Sequence, residues 1–235
     1  MIDKVVESVA HAVHDVPSGA TVLIGGFGFC GVPENLLRAL AQQGASDLTT
    51  VSDDAGLDGW GIGQLLDAQR VRRMLLARAV GNAAFQRQLR AGELDVTFVP
   101  LGTLVERVRA GGAGIPAFYT PTGVGTPVAE GKEVREFEGK PYLLERAIHG
   151  DFALVAAWRG DRHGNLVYRE TARNTNPLMA ASARVCIAEV EELVEPGQLD
   201  PNGIHTPGIF VHRVVVARRS KGIDHPQSPF AQRRA

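Results

Sequence analysis

Positions 21–40, TVLIGGFGFCGVPENLLRAL, constrain the chain more than any other stretch. A β-branched apolar run stops at Gly25 and Gly26, a glycine-dense turn follows, and a helix starts behind Pro33. Glycines where a buried strand hands over to a helix let backbone N–H groups approach a ligand with no Cβ in the way. The N-terminus of the following helix adds partial positive charge. Such a turn suits a phosphate, a carboxylate or a developing oxyanion.

The same stretch spells G-x-G-x-x-G at Gly26, Gly28 and Gly31, with Asp53 and Asp54 following at the end of a second strand-like run. As written this is the dinucleotide fingerprint, and it raises an NAD-dependent oxidoreductase as one reading. Pro33 argues against it. In the dinucleotide fold the helix begins inside the glycine motif. Pro33 would then lie within the helix, at a cost of about 3 kcal/mol. Pro33 fits better as the first helical residue, where its missing N–H costs nothing. Residues 25–32 then form one loop, too long for a dinucleotide turn. A turn that binds nothing is the remaining alternative.

The chain has 235 residues, of which 44% are apolar and 22% charged, ample for one sizeable core. A formal net charge of −1 gives no global field to recruit nucleic acid or an anionic membrane. No apolar run approaches the roughly 18 residues of a membrane span. MIDKVVESVAHAV reads as an amphipathic first helix without a signal-peptide core. Cys30 and Cys186 lie far apart with no metal-ligand spacing, which fits a cytoplasmic protein with two reduced thiols.

Strand and helix signals alternate, the pattern of βα units and a mostly parallel sheet. Strands are expected at Thr21 to Ile24, Leu48 to Val51, Val71 to Ala77 and Val96 to Val99. Helices are expected at Pro33 to Gln43, Gly61 to Asp67, Asn82 to Ala91 and Leu101 to Ala110. Glu138-Gly139 marks a hairpin between Val134 to Phe137 and Lys140 to Leu144. Further strands are expected at Phe152 to Trp158, Asn165 to Tyr168, Val185 to Val190 and Phe210 to Val216, with a helix at Pro177 to Ser182. Pro116 to Pro121 reads as a rigid interface loop. No internal repeat is evident. One domain over 1–216 and a polar, disordered tail over 217–235 complete the reading.

Segments along nearly the whole chain resemble, in order, the α subunit of the class I coenzyme A-transferases, the 3-oxoacid and 3-oxoadipate enzymes. They are GGFGFCGVPENL, RAGGAGIPAFYTPTGVGT, EVREFEGKPYLLE, DFALVAAWRGDRHGNLVYR, ARNTNP and EVEELVEPGQLDPNGIHTPGIFVHRV. The resemblance implies an open α/β fold, a parallel-rich sheet flanked by helices with a β-rich C-terminal portion. It implies a partner, the β subunit, in an α2β2 assembly. It also implies transfer of coenzyme A from an acyl-CoA such as succinyl-CoA to a carboxylic acid acceptor. The nucleophile is then a glutamate of the β subunit, with no catalytic residue in this chain, no metal and no permanently bound cofactor. By the same resemblance Gly25, Gly26, Phe27, Gly28, Phe29, Cys30 and Gly31 line the acyl-CoA site, joined by Asp53 and Leu101.

Two of these positions depart from the family wording. Ser52-Asp53-Asp54-Ala55-Gly56 stands where relatives usually read S-N-N-A-G, and Pro100-Leu101-Gly102-Thr103 where they read P-Q-G-T. LLARAVGN likewise replaces a usual S-Y-V-G-E-N and brings in Arg78. An amide can donate to a substrate carboxylate, whereas an aspartate repels it and leucine offers no hydrogen bond. The changes therefore favour a bulkier or less polar acyl group, with Arg78 as a replacement positive charge. A diverged subunit without activity is the competing reading. Glu34 reads as a helix-terminus carboxylate, Cys30 as packing, and Arg173, Asn174 and Asn176 as a polar turn toward the partner. His205 and His212 lack metal spacing.

Overall fold

The apolar runs of the βα pattern become strands, and the central ones, over 21–24, 48–54 and 150–161, are buried on both faces along most of their length. The computed structural model describes residues 2–217. In chain order the first half comprises α1 (Val9–Val13), β1 (Thr21–Ile24), α2 (Glu34–Gln43), β2 (Leu48–Asp54), α3 (Gly63–Asp67), β3 (Val71–Arg78), α4 (Ala83–Arg90), β4 (Asp95–Phe98) and α5 (Leu101–Gly112). The second half adds β5 (Ala117–Thr120), β6 (Val134–Phe137), β7 (Lys140–Arg146), β8 (Gly150–Asp161), β9 (Leu166–Val167), α6 (Asn176–Ala181), β10 (Ala183–Val194) and β11 (Arg213–Val216).

The main sheet runs β11-β10-β8-β1-β2-β3-β4, all parallel, with β9 antiparallel on β8. Alternate side chains along each strand enter opposite layers. Val22 and Ile24 of β1 pack with Phe152 and Leu154 of β8 beneath the α1–α4 layer, where Leu36, Leu37, Leu65 and Phe85 lie. Leu23, Ala153 and Val155 face the other way, against Leu104, Val108, Met179 and Ala180 of α5 and α6. Helices on both faces are what a parallel sheet needs to bury its strands.

The strand order decides where a ligand can sit. From β1 the chain builds outward through β2, β3 and β4, and then returns to β1's other edge with β8, at the register Val22↔Phe152. Open parallel sheets bind ligands outside the carboxyl ends of their strands, at such a reversal. The glycine turn leaves β1 at that point.

Several boundaries differ from expectation. The N-terminal helix shrinks to Val9–Val13, because Ser8 caps it by accepting the His11 amide at 3.1 Å. Residues ahead of it pair instead with β11: the Val6 amide donates to Val214, and Val214 donates to Lys4. Residues 117–120, expected as loop, form β5 on the antiparallel sheet β5-β7-β6. Tyr119 and Phe118 are aromatic β-formers, and their pairing with β7 outweighed the flanking prolines. The expected tail over 217–235 lies, beyond Ala217, outside the described residues.

The small sheet is tied down by charge. Glu145 of β7 is 2% exposed and accepts from Lys132 Nζ at 2.5 Å, with Arg107 of α5 at 3.7 Å. Burial holds Arg107 below the ordinary guanidinium range, and Glu145 opposes that. Removing the carboxylate leaves two cations facing each other. Glu145→Ala is therefore expected to destabilise the chain by about 3 kcal/mol, read from the urea midpoint.

Candidate functional site at the glycine turn

The turn after β1 is tightly closed. The amides of Phe27 and Cys30 each donate to the other's carbonyl at 3.0 Å. Gly26 sits at φ +117°, where a side chain would be strained, and a Cβ there would meet Val32 Cγ2 at 2.8 Å. Gly25 donates to Leu154 of β8 at 2.9 Å. Gly28 donates to Asp53 Oδ2 at 3.2 Å. Five amides expected to be bare toward a ligand, those of Gly25, Gly26, Phe27, Gly28 and Cys30, are thus used within the fold.

The scaffold comes from the polar turn before α6. The Thr175 hydroxyl accepts the Gly26 amide at 3.1 Å and donates to the Gly26 carbonyl at 3.0 Å. Asn174 Nδ2 donates to the Cys30 carbonyl at 3.0 Å. Asn176, fully buried, donates to the Gly31 and Ala172 carbonyls at 3.0 and 2.9 Å and accepts the Ala156 amide at 3.1 Å. Gly31 packs against this turn, where a Cβ would meet the Ala172 carbonyl oxygen at 2.6 Å. Helix α2 begins only at Glu34, with Pro33 as its cap rather than its first residue. Gly31 therefore lies outside the helix, unlike the third glycine of a dinucleotide motif.

A second turn of the same design follows β2. Leu57 and Trp60 bridge as Phe27 and Cys30 do, at a constant offset that also matches Gly56 to Gly26 and Gly61 to Gly31. This is an internal repeat the residue types concealed, since only the glycines are shared. Between the two turns lies a cavity of about 260 Å³, lined among others by Phe29, Leu57, Trp60 and Val80. Phe29 and Trp60 stack obliquely, ring centres 5.3 Å apart.

Charge collects at the cavity's edge. Arg78 Nη2 lies 3.0 Å from Asp53 Oδ2 and 3.4 Å from Asp54 Oδ2. The guanidinium carbon stands 5.2 Å from the centre of the Phe27 ring. Burial raises the Asp54 carboxyl above the usual carboxylate range; the Gly56 amide, donating at 2.8 Å, pulls the other way.

Residues 6–217 match the family model described as coenzyme A transferase. The chain belongs to the coenzyme A transferase family. Among curated relatives, the A subunit of the probable succinyl-CoA:3-ketoacid coenzyme A transferase of Mycobacterium bovis is 54% identical over 91% of this chain and 94% of its own. The A subunit of the succinyl-CoA:3-ketoacid coenzyme A transferase of Xanthomonas campestris is 56% identical over 86% of this chain and 83% of its own. The acyl-CoA transferase of E. coli O157:H7, solved as a thioester complex with CoA, superposes with a TM-score of 0.82 at 23% identity. It shares the fold, and the present chain spans 48% of its length.

In this CoA-transferase the turn residues Gly28 and Phe29 line the larger cavity. Gly25, Gly26, Gly28 and Asp53 line a smaller pit beside it. Phe27 is exposed and Cys30 half-buried, its thiol free. Leu101 opens α5 outside the lining of both spaces. Thr175, Asn176 and Trp60 were missed as site-builders by sequence reasoning. The ARNTNP segment was the available signal, but its amides turn inward to the glycine loop. His205 and His212 serve the backbone: each Nδ1 accepts an amide, from Tyr168 at 2.9 Å and Cys186 at 3.0 Å.

The start of α2 is held from across the sheet. Pro33 offers no side-chain cap. Glu189 of β10 supplies the acceptor instead, taking the Leu36 amide at 2.9 Å and Asn35 Nδ2 at 3.3 Å. Burial pushes the Glu189 carboxyl up to about 7, helped by the nearby charge of Glu34 and opposed by these bonds. Its pKa in the folded chain lies above the ordinary value of 4.5, so its contribution is full below that value and is lost as pH rises through about 7. Glu189→Gln keeps an acceptor for Leu36 and removes the titration. The expected result is a thermal midpoint that falls less steeply over that pH interval than in the unmodified chain.

Proposed function

We propose that this chain is one half of a heteromeric CoA-transferase that moves coenzyme A from an acyl-CoA donor to a carboxylic acid acceptor. A second subunit supplies the nucleophilic glutamate, in an α2β2 assembly. Coenzyme A is substrate, and no cofactor resides in the site. The relatives' names, each the A subunit of a succinyl-CoA:3-ketoacid transferase, support this reading.

The observation that carries it is the state of the carboxylates at the cavity. Asp53 and Asp54 are engaged by Arg78 and by backbone amides. Paired with Arg78, and with the remaining Asp53 oxygen buried, they are held back from a thioester carbonyl in the cavity, which favours a reactive carboxylate that enters from outside. Exposed apolar surface lies beside the cavity: Phe27, against Arg78, and Val80, in the lining, are 44% and 73% exposed. Apolar surface of this kind, next to a charged cleft, marks a protein contact.

In the reaction so composed, the partner's carboxylate attacks the thioester carbonyl and expels the CoA thiolate, giving a mixed anhydride. The thiolate then attacks the glutamyl carbonyl and releases the donor acid, leaving a glutamyl-CoA thioester. The acceptor acid reverses both steps. Gly25, Gly26, Phe27, Gly28, Phe29, Cys30 and Gly31 form the wall against which the acyl group is held, rigid because Thr175 and Asn176 fix it. Loss of function through drift is disfavoured, because the departure at Asp53 is matched by a complementary charge at Arg78.

The test is co-expression with the product of the adjoining gene. With an acyl-CoA present, borohydride is expected to trap the thioester on a glutamate of that partner, and the single chain is expected to give no transfer. Turnover by the single chain, or trapping on one of its own residues, overturns the assignment.

A further inference from the structure

Asp53 is 4% exposed, and its two oxygens are treated unequally. Oδ2 accepts from the Gly28 amide at 3.2 Å and from Arg78 Nη2 at 3.0 Å. Oδ1 is buried and has no hydrogen-bond partner among the described residues. Buried acceptors are nearly always satisfied, by protein, water or ligand, because an unmade bond to a charged group is costly. Asp53 lines a pit of about 20 Å³ together with Gly26, Gly28, Val32 and Trp60. That volume admits one water-sized group. The pit and the larger cavity share Gly28, Asp54, Gly56 and Trp60 as walls.

The larger cavity sets a second condition. Its aliphatic and aromatic lining, Phe29, Leu57, Trp60 and Val80, fits an apolar chain. Its one cation among the described residues, Arg78, already faces two carboxylates at 3.0 and 3.4 Å. A ligand ending in a carboxylate would bring a third negative group to a single guanidinium. A ligand carrying a keto oxygen would set an acceptor against the acceptor Oδ1. A hydroxyl satisfies both conditions, since it is uncharged, water-sized and a donor.

We infer that the acyl thioester taken by this site is an uncharged hydroxyacyl-CoA, its hydroxyl donating to Asp53 Oδ1 in the pit. This rests on the CoA-transfer reading above and parts from the succinyl and 3-keto groups in the relatives' names at this one residue.

Asp53→Asn tests it. The Oδ2 position must accept two donors, so the amide oxygen takes that place and the NH2 group takes the place of Oδ1. An acceptor in the pit becomes a donor. The assembled complex is titrated by calorimetry with 3-hydroxybutyryl-CoA, butyryl-CoA, acetoacetyl-CoA and succinyl-CoA, and kcat/KM is measured for each. The unmodified complex is expected to prefer the hydroxyacyl thioester over the other three by about tenfold or more. In D53N the order of the hydroxy and keto compounds is expected to reverse, in a chain that still unfolds in one cooperative transition, at a midpoint lowered by the lost charge opposite Arg78. Equal handling of 3-hydroxybutyryl-CoA and butyryl-CoA by the unmodified complex means that the pit holds only a water, and overturns the inference. So does a preference for succinyl-CoA, which needs no variant to observe, or an unreversed order in a folded D53N. Binding in the expected order without turnover leaves the inference standing and strikes the transfer reading instead.

Discussion

One buried amide side chain organises the site. Asn176 accepts from β8 at Ala156 and donates both to the end of the glycine turn at Gly31 and to Ala172. It occupies the volume that a Cβ on Gly25 would need. Three segments distant in sequence are locked to one another through its oxygen and nitrogen. Any change there leaves buried backbone groups without partners, which is costly in the dry interior. Thr175, making a two-way bond to Gly26, completes the lock.

The architecture was largely legible because it depends on patterns every residue contributes to. The apolar run of β1, the Gly44 stop of α2, at φ 100°, and the helix expected from Asn82 are local signals, and the elements formed within a residue of those marks, with Asn82 serving as the cap of α4 rather than its first residue. Asn82 Oδ1 accepts the Phe85 amide at 2.7 Å, as such a cap must. The hairpin turn at Glu138-Gly139 was equally local. What the pattern hid was non-local. Nothing near Pro33 says that a glutamate from β10 will cap its helix, and nothing near Gly28 says that Asp53 will take its amide. The turn of Leu57 and Trp60 was concealed because its glycines recur while its other residues do not resemble those of the first turn.

The glycines adopt the conformation their residue type suggests, but not the exposure. Lacking a Cβ, a glycine can let a ligand reach the backbone. At Gly25 and Gly31 that space is filled instead by Asn176 and Ala172. The chemistry facing the cavity is carried by side chains on neighbouring strands and the second turn, Arg78, Asp54 and Trp60 among them. Shape and polarity are thus separated: the turn sets the first, and the strand ends set the second.

The position of β8 beside β1 has a consequence for how the protein comes into being. When the ribosome has released β1 through β4, the glycines and Asp53 are present, but the edge of β1 that β8 will cover is bare. The turn acquires Thr175 and Asn176 only after a further long stretch of synthesis. Sequence-distant contacts of this kind form late. The fixed shape of the glycine turn is therefore a property that a nascent or truncated first half lacks, since a fragment ending before α6 has no Asn176 to hold Gly31 in place.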